Sequence, residues 1–220
     1  MPPYILNIHT ATETALVNLS KGPEVLGTKV NTETKEHASF LHPAINDLLM
    51  RERVSITEIK AIGITLGPGS YTGMRVGLAA AKGICYALNI PLVTFSSLEL
   101  IAASCAQFVK EKEALYCPMI DARRMEVYTA LYSYKLDEIT TARAEILSKE
   151  SFSEELARHN IYFCGSGSAK FQTLSQLPEK HFPRTEISSM MLSSLSWSKI
   201  ENKKFEKSTD AQPLYMKGLF

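Results

Sequence analysis

The sequence predicts an α/β fold in two related halves, with mixed sheets, helices on both sheet faces and a degraded internal duplication. Three observations carry this. β-rich segments open the chain, and apolar strands then alternate with helical stripes. Consecutive strands close as antiparallel hairpins, whereas strands separated by helices pair in parallel through crossovers. Each half also repeats a pattern. Ile8-His9-Thr10 and Ile120-Asp121-Ala122 each end a first strand, while Gly67-Pro68-Gly69-Ser70 and Gly165-Ser166-Gly167-Ser168 each follow a later apolar strand.

The elements follow in order. YILNIHT (Tyr4 to Thr10) reads as a buried strand. TALVNLS and EVLGTKVN read as two more, joined by a tight Lys21-Gly22-Pro23 turn. Phe40, Leu41, Ala44, Ile45, Leu48 and Leu49 recur at helical spacing, with Pro43 inside the stripe as a source of a kink. AIGITL (Ala61 to Leu66) is a fourth, fully apolar strand. It leads into a glycine loop and a helix from Thr72 to Leu88. PLVTFSS (Pro91 to Ser97) is a fifth strand, and Leu98 to Val109 a helix. In the second half, LYCPMID (Leu115 to Asp121) and EVYTALYSY (Glu126 to Tyr134) are strands around the turn Ala122-Arg123-Arg124. A helix near Phe152 to Arg158 and the strand IYFCG (Ile161 to Gly165) follow. The first lobe is expected over residues 1–110, completed by a segment near 210–220, and a smaller second lobe over 111–209. Lys199 to Thr209 is charged and expected to be exposed. PLYMKGLF at the end is apolar and expected to dock.

Composition narrows the function classes. A 220-residue chain, 45% hydrophobic, can bury about 70% of its unfolded surface. A net charge of +1 supplies no global field toward nucleic acid or membranes. No apolar run approaches the ~18 residues of a membrane span, and Met1 to Leu6 lacks the basic start of a signal peptide, so a cytoplasmic protein is expected. Cys85, Cys105, Cys117 and Cys164 include no CxxC pair and sit in apolar settings, which reads as reduced core thiols.

The known catalytic and ligand motifs fail on register. Six of the eleven glycines lie between Gly63 and Gly83. A phosphate loop requires GxxxxGK[ST], but Lys82 lies deep in the helix. A dinucleotide loop requires GxGxxG, but Gly73 comes one position late and Pro68 removes an amide donor. His37 and His42 are five apart, against the spacing of four that zinc helices use. GxSxG is absent. Asp121 and Glu126 flank Arg123 and Arg124 and read as a charged turn with a salt bridge. Arg123, Arg124, Lys203, Lys204 and Lys207 are basic, but no aromatic-and-basic stripe joins them, so they read as a solvated face. The helix after the loop is different. From Thr72 to Leu88 its only charges are Arg75 and Lys82. Gly73, Gly77 and Ala80 make one small-residue face and Ala81 and Cys85 extend another, with Met74, Leu78 and Ile84 beside them. Such spacing permits close backbone approach, either to the chain's own sheet or to a partner helix.

Residues 67–77, GPGSYTGMRVG, resemble the GPGSFTGxRxG signature of the TsaB family of bacterial tRNA threonylcarbamoyladenosine synthesis. ILNIHTAT, HASFLHPAINDLL, FSSLE, DARRMEVYTALY and PLYMKGLF extend the likeness along the chain. The resemblance implies a two-lobed actin-like, ribonuclease-H-like fold of the glycoprotease-like group. It implies a non-catalytic subunit that pairs with the catalytic TsaD, is joined by the ATPase TsaE, self-associates through the same helical face, and meets tRNA only in the complex. The modified nucleoside is the adenosine beside the anticodon in tRNAs reading codons that start with A. ATP and metal are expected on the partner subunits and neither on this chain alone. The implied interface is Tyr71, Thr72, Gly73, Met74, Arg75, Gly77, Leu78, Ala81 and Cys85. Replacing Gly77 with leucine is then expected to overpack the partner contact while the monomer stays folded. Thr10 with Gly165, Ser166 and Gly167 is expected to be a vestigial nucleotide turn. The fold's first strand commonly ends in Ile-Asp-Thr, and here His9 replaces the acid. The alternative reading is a stand-alone ATP-binding or glycoprotease-like enzyme. Direct tRNA binding through Arg123, Arg124, Lys203, Lys204 and Lys207 is the weaker alternative, and in an assembled complex these residues could still touch tRNA phosphates.

Overall fold

The computed structural model describes residues 1–33 and 36–216, and these divide into two units. The first comprises Met1–Ser97 with Ser188–Leu214. Its strands are β1 (Tyr4–His9), β2 (Ala15–Lys21), β3 (Glu24–Asn31), β4 (Ile59–Thr65) and β5 (Leu92–Phe95). They form one sheet in the order β3-β2-β1-β4-β5, antiparallel across β3-β2-β1 and parallel across β1-β4-β5. This is the mixed sheet that the sequence predicts, and it matches the ribonuclease-H-like fold that the family resemblance implies. Helices α1 (His37–Glu52) and α2 (Tyr71–Leu88) cover one face. Period-two alternation sends Leu6 and Ile8 of β1, and Val17 and Leu19 of β2, into that core with Leu41, Ile45 and Leu48 of α1 and Leu78 and Ala81 of α2. α1 runs through Pro43, which withholds a single amide bond from the turn before it.

The opposite face of the same sheet is polar. Asn7 Nδ2 donates to Asn18 Oδ1 (2.7 Å), and Asn18 Nδ2 donates to the Ser189 carbonyl (2.7 Å) and to Ser193 Oγ (3.1 Å). These bonds seat a helix that the sequence reading missed, α6 (Ser189–Glu201). Its serines alternate with apolar residues, so no single apolar stripe announces it. Gly63 of β4 leaves room for it, since a Cβ there would run into Ser196 Oγ.

The second unit comprises Leu98–Ile187 with Tyr215 and Met216. Its strands β6 (Leu115–Asp121), β7 (Glu126–Tyr132), β8 (Glu138–Ile146) and β9 (Ile161–Cys164) are ordered β8-β7-β6-β9. β6-β7-β8 are antiparallel and β9 runs parallel to β6, which repeats the first unit's β3-β2-β1-β4 arrangement. β8 was not expected. Its charged residues and partly exposed edge position hide the alternation. One sheet face packs Tyr116 and Ile120 against α3 (Ser97–Val109) through Leu98, Ile101, Ala102 and Cys105. The other packs Cys117 and Met119 with Phe152, Phe163, Phe171 and Phe182. α4 (Ser153–Leu156) and α5 (Ser168–Leu174) are short.

The boundary therefore differs from the expected break at residue 110. α3 belongs to the second unit because its inward residues pack on β6 and β7. Ser188–Leu214 returns to the first unit, anchored by buried Ala211 and by the Leu214 amide donating to the Leu66 carbonyl at 2.7 Å. The expected docking of residues 217–220 lies outside the described residues.

All four cysteines are free and buried. Burial pushes the Cys117 thiol up to about 12 and raises that of Cys164 well above its ordinary value. Native protein at pH 8 is expected to resist iodoacetamide, with all four thiols alkylated after denaturation. Labelling of Cys117 in the folded protein would contradict this.

Candidate partner-binding surface

The glycine signature begins where β4 leaves the sheet. Ser70 caps α2 by accepting from the Gly73 amide at 3.2 Å, and its own amide donates to the Ala11 carbonyl at 2.7 Å. Gly69 has φ +152° and lies so close to the Ala11 carbonyl that a Cβ would overlap it. The Gly67 carbonyl accepts from the Ser97 amide at 2.7 Å. The Ser70 and Gly73 amides at the helix start are thus spent on this chain, and Pro68 has none to give. The loop is a strand-to-helix joint.

α2 then presents two small-residue faces, and the structure separates them. Gly73, Met74, Gly77, Leu78, Ala80, Ala81 and Cys85 are buried. A Cβ on Gly73 would overlap the Thr10 carbonyl, and one on Gly77 would overlap Thr10 Oγ1 and press on Ile64 Cδ1 at 3.2 Å. Thr10 Oγ1 donates to the Gly73 carbonyl at 2.7 Å and locks the approach. This corrects the expected interface. Gly73, Met74, Gly77, Leu78, Ala81 and Cys85 are buried within their own chain and are not open to a partner. Of the expected set, Tyr71, Thr72 and Arg75 face outward.

The outward face continues through Ala79, Gly83, Tyr86 and Ala87. Tyr86 is 87% exposed, and a Cβ on Gly83 would meet nothing within 4 Å. Nothing in the chain's own packing among the described residues calls for that glycine, which costs about 1 kcal/mol against alanine in mid-helix. Arg75 lies over the Tyr71 ring, 3.9 Å from its centroid, and shapes one end of the face. α1 packs beside α2 and exposes His42, Pro43, Asn46 and Met50, the last at 70%. The sequence reading missed Ala79, Gly83, Tyr86 and Ala87. A signal existed: Met74 and Leu78 flank the inward series, whereas Arg75, Lys82 and Tyr86 flank the outward one.

The expected nucleotide and acid positions are also accounted for. His9 is fully buried and spans two hydroxyls at 2.8 Å each, Thr65 Oγ1 at Nδ1 and Thr12 Oγ1 at Nε2. Thr12 Oγ1 spends its hydrogen on the Thr14 carbonyl at 3.1 Å, so it accepts from His9 Nε2–H, and Nδ1 accepts from Thr65. Burial, with His37 nearby, lowers the His9 pKa to about 3 and keeps the ring neutral. Both ring nitrogens are engaged, and an imidazole is a poor substitute for the oxygen ligands magnesium prefers. Thr10 is held by α2, as described. In the second unit, Gly165 (φ +91°) sits against the Met119 carbonyl, where a Cβ would come within 2.6 Å. The Gly167 amide donates to that same carbonyl at 2.9 Å, and the Ser168 amide to the Gly165 carbonyl at 3.1 Å. Ser166 Oγ accepts from the Asp121 amide at 3.2 Å. The Gly167 amide and the Ser166 hydroxyl thus tie the turn to β6. Asp121 pairs with Lys170 at 2.7 Å, not with Arg123 or Arg124, so the salt bridge expected within the turn lies outside it. Among the described residues no three His, Cys, Asp or Glu side chains converge as a metal cluster, and no helix is long and apolar enough to cross a membrane.

Comparison with known proteins gives the chain's family. A family model described as TsaD, tRNA N6-adenosine threonylcarbamoyltransferase, matches residues 24–208. The tRNA threonylcarbamoyladenosine biosynthesis protein TsaB of Bacillus subtilis (strain 168) is 37% identical over 131 residues, covering 60% of this chain and 56% of the relative. The Escherichia coli (strain K12) TsaB is 34% identical over 128 residues, covering 58% and 54%. These alignments span about half the length of the relatives, while the Haemophilus influenzae TsaB aligns over 93% of its length at 24% identity. In fold, a Pseudomonas aeruginosa protein described as similar to the peptidase YeaZ superposes with a TM-score of 0.85 at 22% identity, covering 98% of this chain and all of that one. YeaZ from Pseudomonas aeruginosa superposes at 0.80 and 22%, covering 97% and 99%. Because the family model spans most of its length, the chain belongs to the tRNA threonylcarbamoyladenosine family which that model describes, and the curated relatives it resembles include TsaB proteins.

Proposed function

We propose that this chain is a non-catalytic scaffold subunit in the synthesis of N6-threonylcarbamoyladenosine on tRNAs reading codons that begin with A. It binds and supports a catalytic TsaD subunit. TsaE joins the assembly, and ATP and metal reside on the partners. A homodimer through the same face is the competing assembly. The observation that carries this reading is the outward face of α2, where Ala79, Gly83 and Ala87 leave the backbone bare beside exposed Tyr86. A small-residue stripe lets a second helix come close, and an exposed tyrosine supplies the anchor typical of interface hot spots. Two features bear on the non-catalytic part. His9 stands neutral where an acid is expected, and the glycine turns hold their own strands.

The test is capture of purified TsaD by this chain and two variants. Tyr86→Ala and Gly83→Leu are each expected to weaken binding at least tenfold, about 1.4 kcal/mol, while both stay folded. Unchanged capture by both variants would remove α2 as the contact. ATP turnover or peptidase activity by the isolated wild-type chain would overturn the scaffold role.

A further inference from the structure

We infer that the β6–β7 turn is a phosphate contact for RNA, through Arg123 and Arg124. β6 ends at Asp121 and β7 begins at Glu126. Between them Arg123 (φ +68°) and Arg124 (φ +49°) both adopt the left-handed backbone. That conformation suits Asn-Gly in a tight hairpin and strains bulky L-residues. Two successive arginines there are a poor choice for folding, which gives their side chains a task outside folding.

The turn is held firmly. The Ala122 amide donates to the Glu126 carbonyl and the Glu126 amide to the Arg123 carbonyl, each at 3.1 Å. Asp121 Oδ1 accepts from the Arg123 amide at 2.6 Å and from Lys170 Nζ at 2.7 Å, so this carboxylate is already engaged. Among the described residues neither guanidinium has an ion pair or hydrogen bond, and both are exposed. Exposed Met125 follows them. The result is a convex, preorganised tip bearing two unneutralised forks, a geometry that suits bidentate contact with phosphate oxygens. Since the whole chain carries only +1, any hold on a polyanion must be local, as here. RNA backbone is favoured over an acidic protein surface because the inference rests on the proposed role in tRNA modification. The same forks would take a free nucleotide's phosphate, and the experiment separates the two.

The experiment measures binding of a fluorescent, unmodified tRNA transcript to this chain in complex with TsaD, over a range of salt. The double variant R123N/R124G is expected to raise the melting temperature of the isolated chain by about 2–4 °C as strain is relieved. It is expected to weaken tRNA binding tenfold or more, and to reduce the salt slope by about one to two units. R123K/R124K keeps the charge but loses the forks, and is expected to fall between. ATP or inorganic phosphate at equal concentration is expected not to displace the tRNA; displacement would assign the tip to a free nucleotide instead. Unchanged tRNA affinity and slope in R123N/R124G would overturn the inference and leave the scaffold role intact. Loss of TsaD capture by R123N/R124G would also overturn it and make the tip a protein contact. A wild-type chain that neither captures TsaD nor forms a tRNA-binding complex would overturn the scaffold role itself.

Discussion

Gly77→Leu is expected to destabilise the first unit severely, so a loss of partner binding in this variant would report unfolding. The first added carbon overlaps Thr10 Oγ1 and presses on Ile64 Cδ1 at 3.2 Å, with Ile8 Cγ2 at 3.5 Å behind it. These atoms, on β1, on β4 and on Thr10 just after β1, are all fully buried, so they have little room to retreat. Overpacking costs typically 1–3 kcal/mol and occasionally more; four added carbons in a closed seam put this variant at about 3 kcal/mol or above. For a chain of this size that lowers the melting temperature by roughly 10 °C. Gly73→Ala adds one methyl, but against the Thr10 backbone carbonyl, which cannot rotate away. It is expected to cost about 2 kcal/mol and to break the 2.7 Å bond from Thr10 Oγ1. Ten residues on, Gly83→Ala meets open space and is expected to stabilise the monomer by about 0.5–1 kcal/mol. Urea unfolding of the three variants reads both signs from one helix. A Gly77→Leu protein as stable as wild type would mean that α2 does not sit as described.

This pattern also explains what was legible in the sequence. The strands Tyr4–His9 and Leu115–Asp121 were readable as apolar runs buried along nearly their whole length, and the helix after Gly69 by its helical spacing of buried residues. α6 was not readable, because its partner face is hydrogen-bonded: Asn18 seeks Ser193 and the Ser189 carbonyl, and no apolar stripe records that. β8 was lost for the opposite reason, as an edge strand whose exposed positions accept charge. The glycine helix gave the hardest case. Gly73-Gly77-Ala81-Cys85 and Ala79-Gly83-Ala87 are both small-residue series, and spacing alone cannot say which meets the sheet. The packing of Thr10 under Gly73 decides it. Family likeness identified the helix, while the choice of face required tertiary contacts. Likewise Asp121 lies two residues from Arg123 in sequence, yet its ionic partner is Lys170 on α5.

His9 is expected to make the first unit acid-sensitive well above the range where carboxylates titrate. Folded, its pKa is held near 3, mainly by burial; unfolded, it returns to 6.5. Between these values the unfolded chain binds a proton that the folded chain refuses. Stability is therefore full above pH 6.5 and falls as pH drops, by about 1.4 kcal/mol per unit until the folded pKa is reached. At pH 4.5 this single ring costs roughly 3 kcal/mol, a large share of a typical 5–15 kcal/mol. The geometry explains the refusal. A proton on Nδ1 would turn the acceptor of the Thr65 hydroxyl into a donor, inside a site with no exposed surface and with His37 close by. His9→Gln keeps a donor and an acceptor but cannot titrate. Urea unfolding of both proteins at pH 7.5, 6.5, 5.5 and 5.0 is the measurement. Wild type is expected to lose about 1.6 kcal/mol more than His9→Gln between pH 6.5 and 5.0. Parallel profiles would show that the ring protonates in the folded protein. In that case the hydroxyl clamp that joins β1 to β4 through Thr65, and to the loop through Thr12, would be looser than these bonds imply.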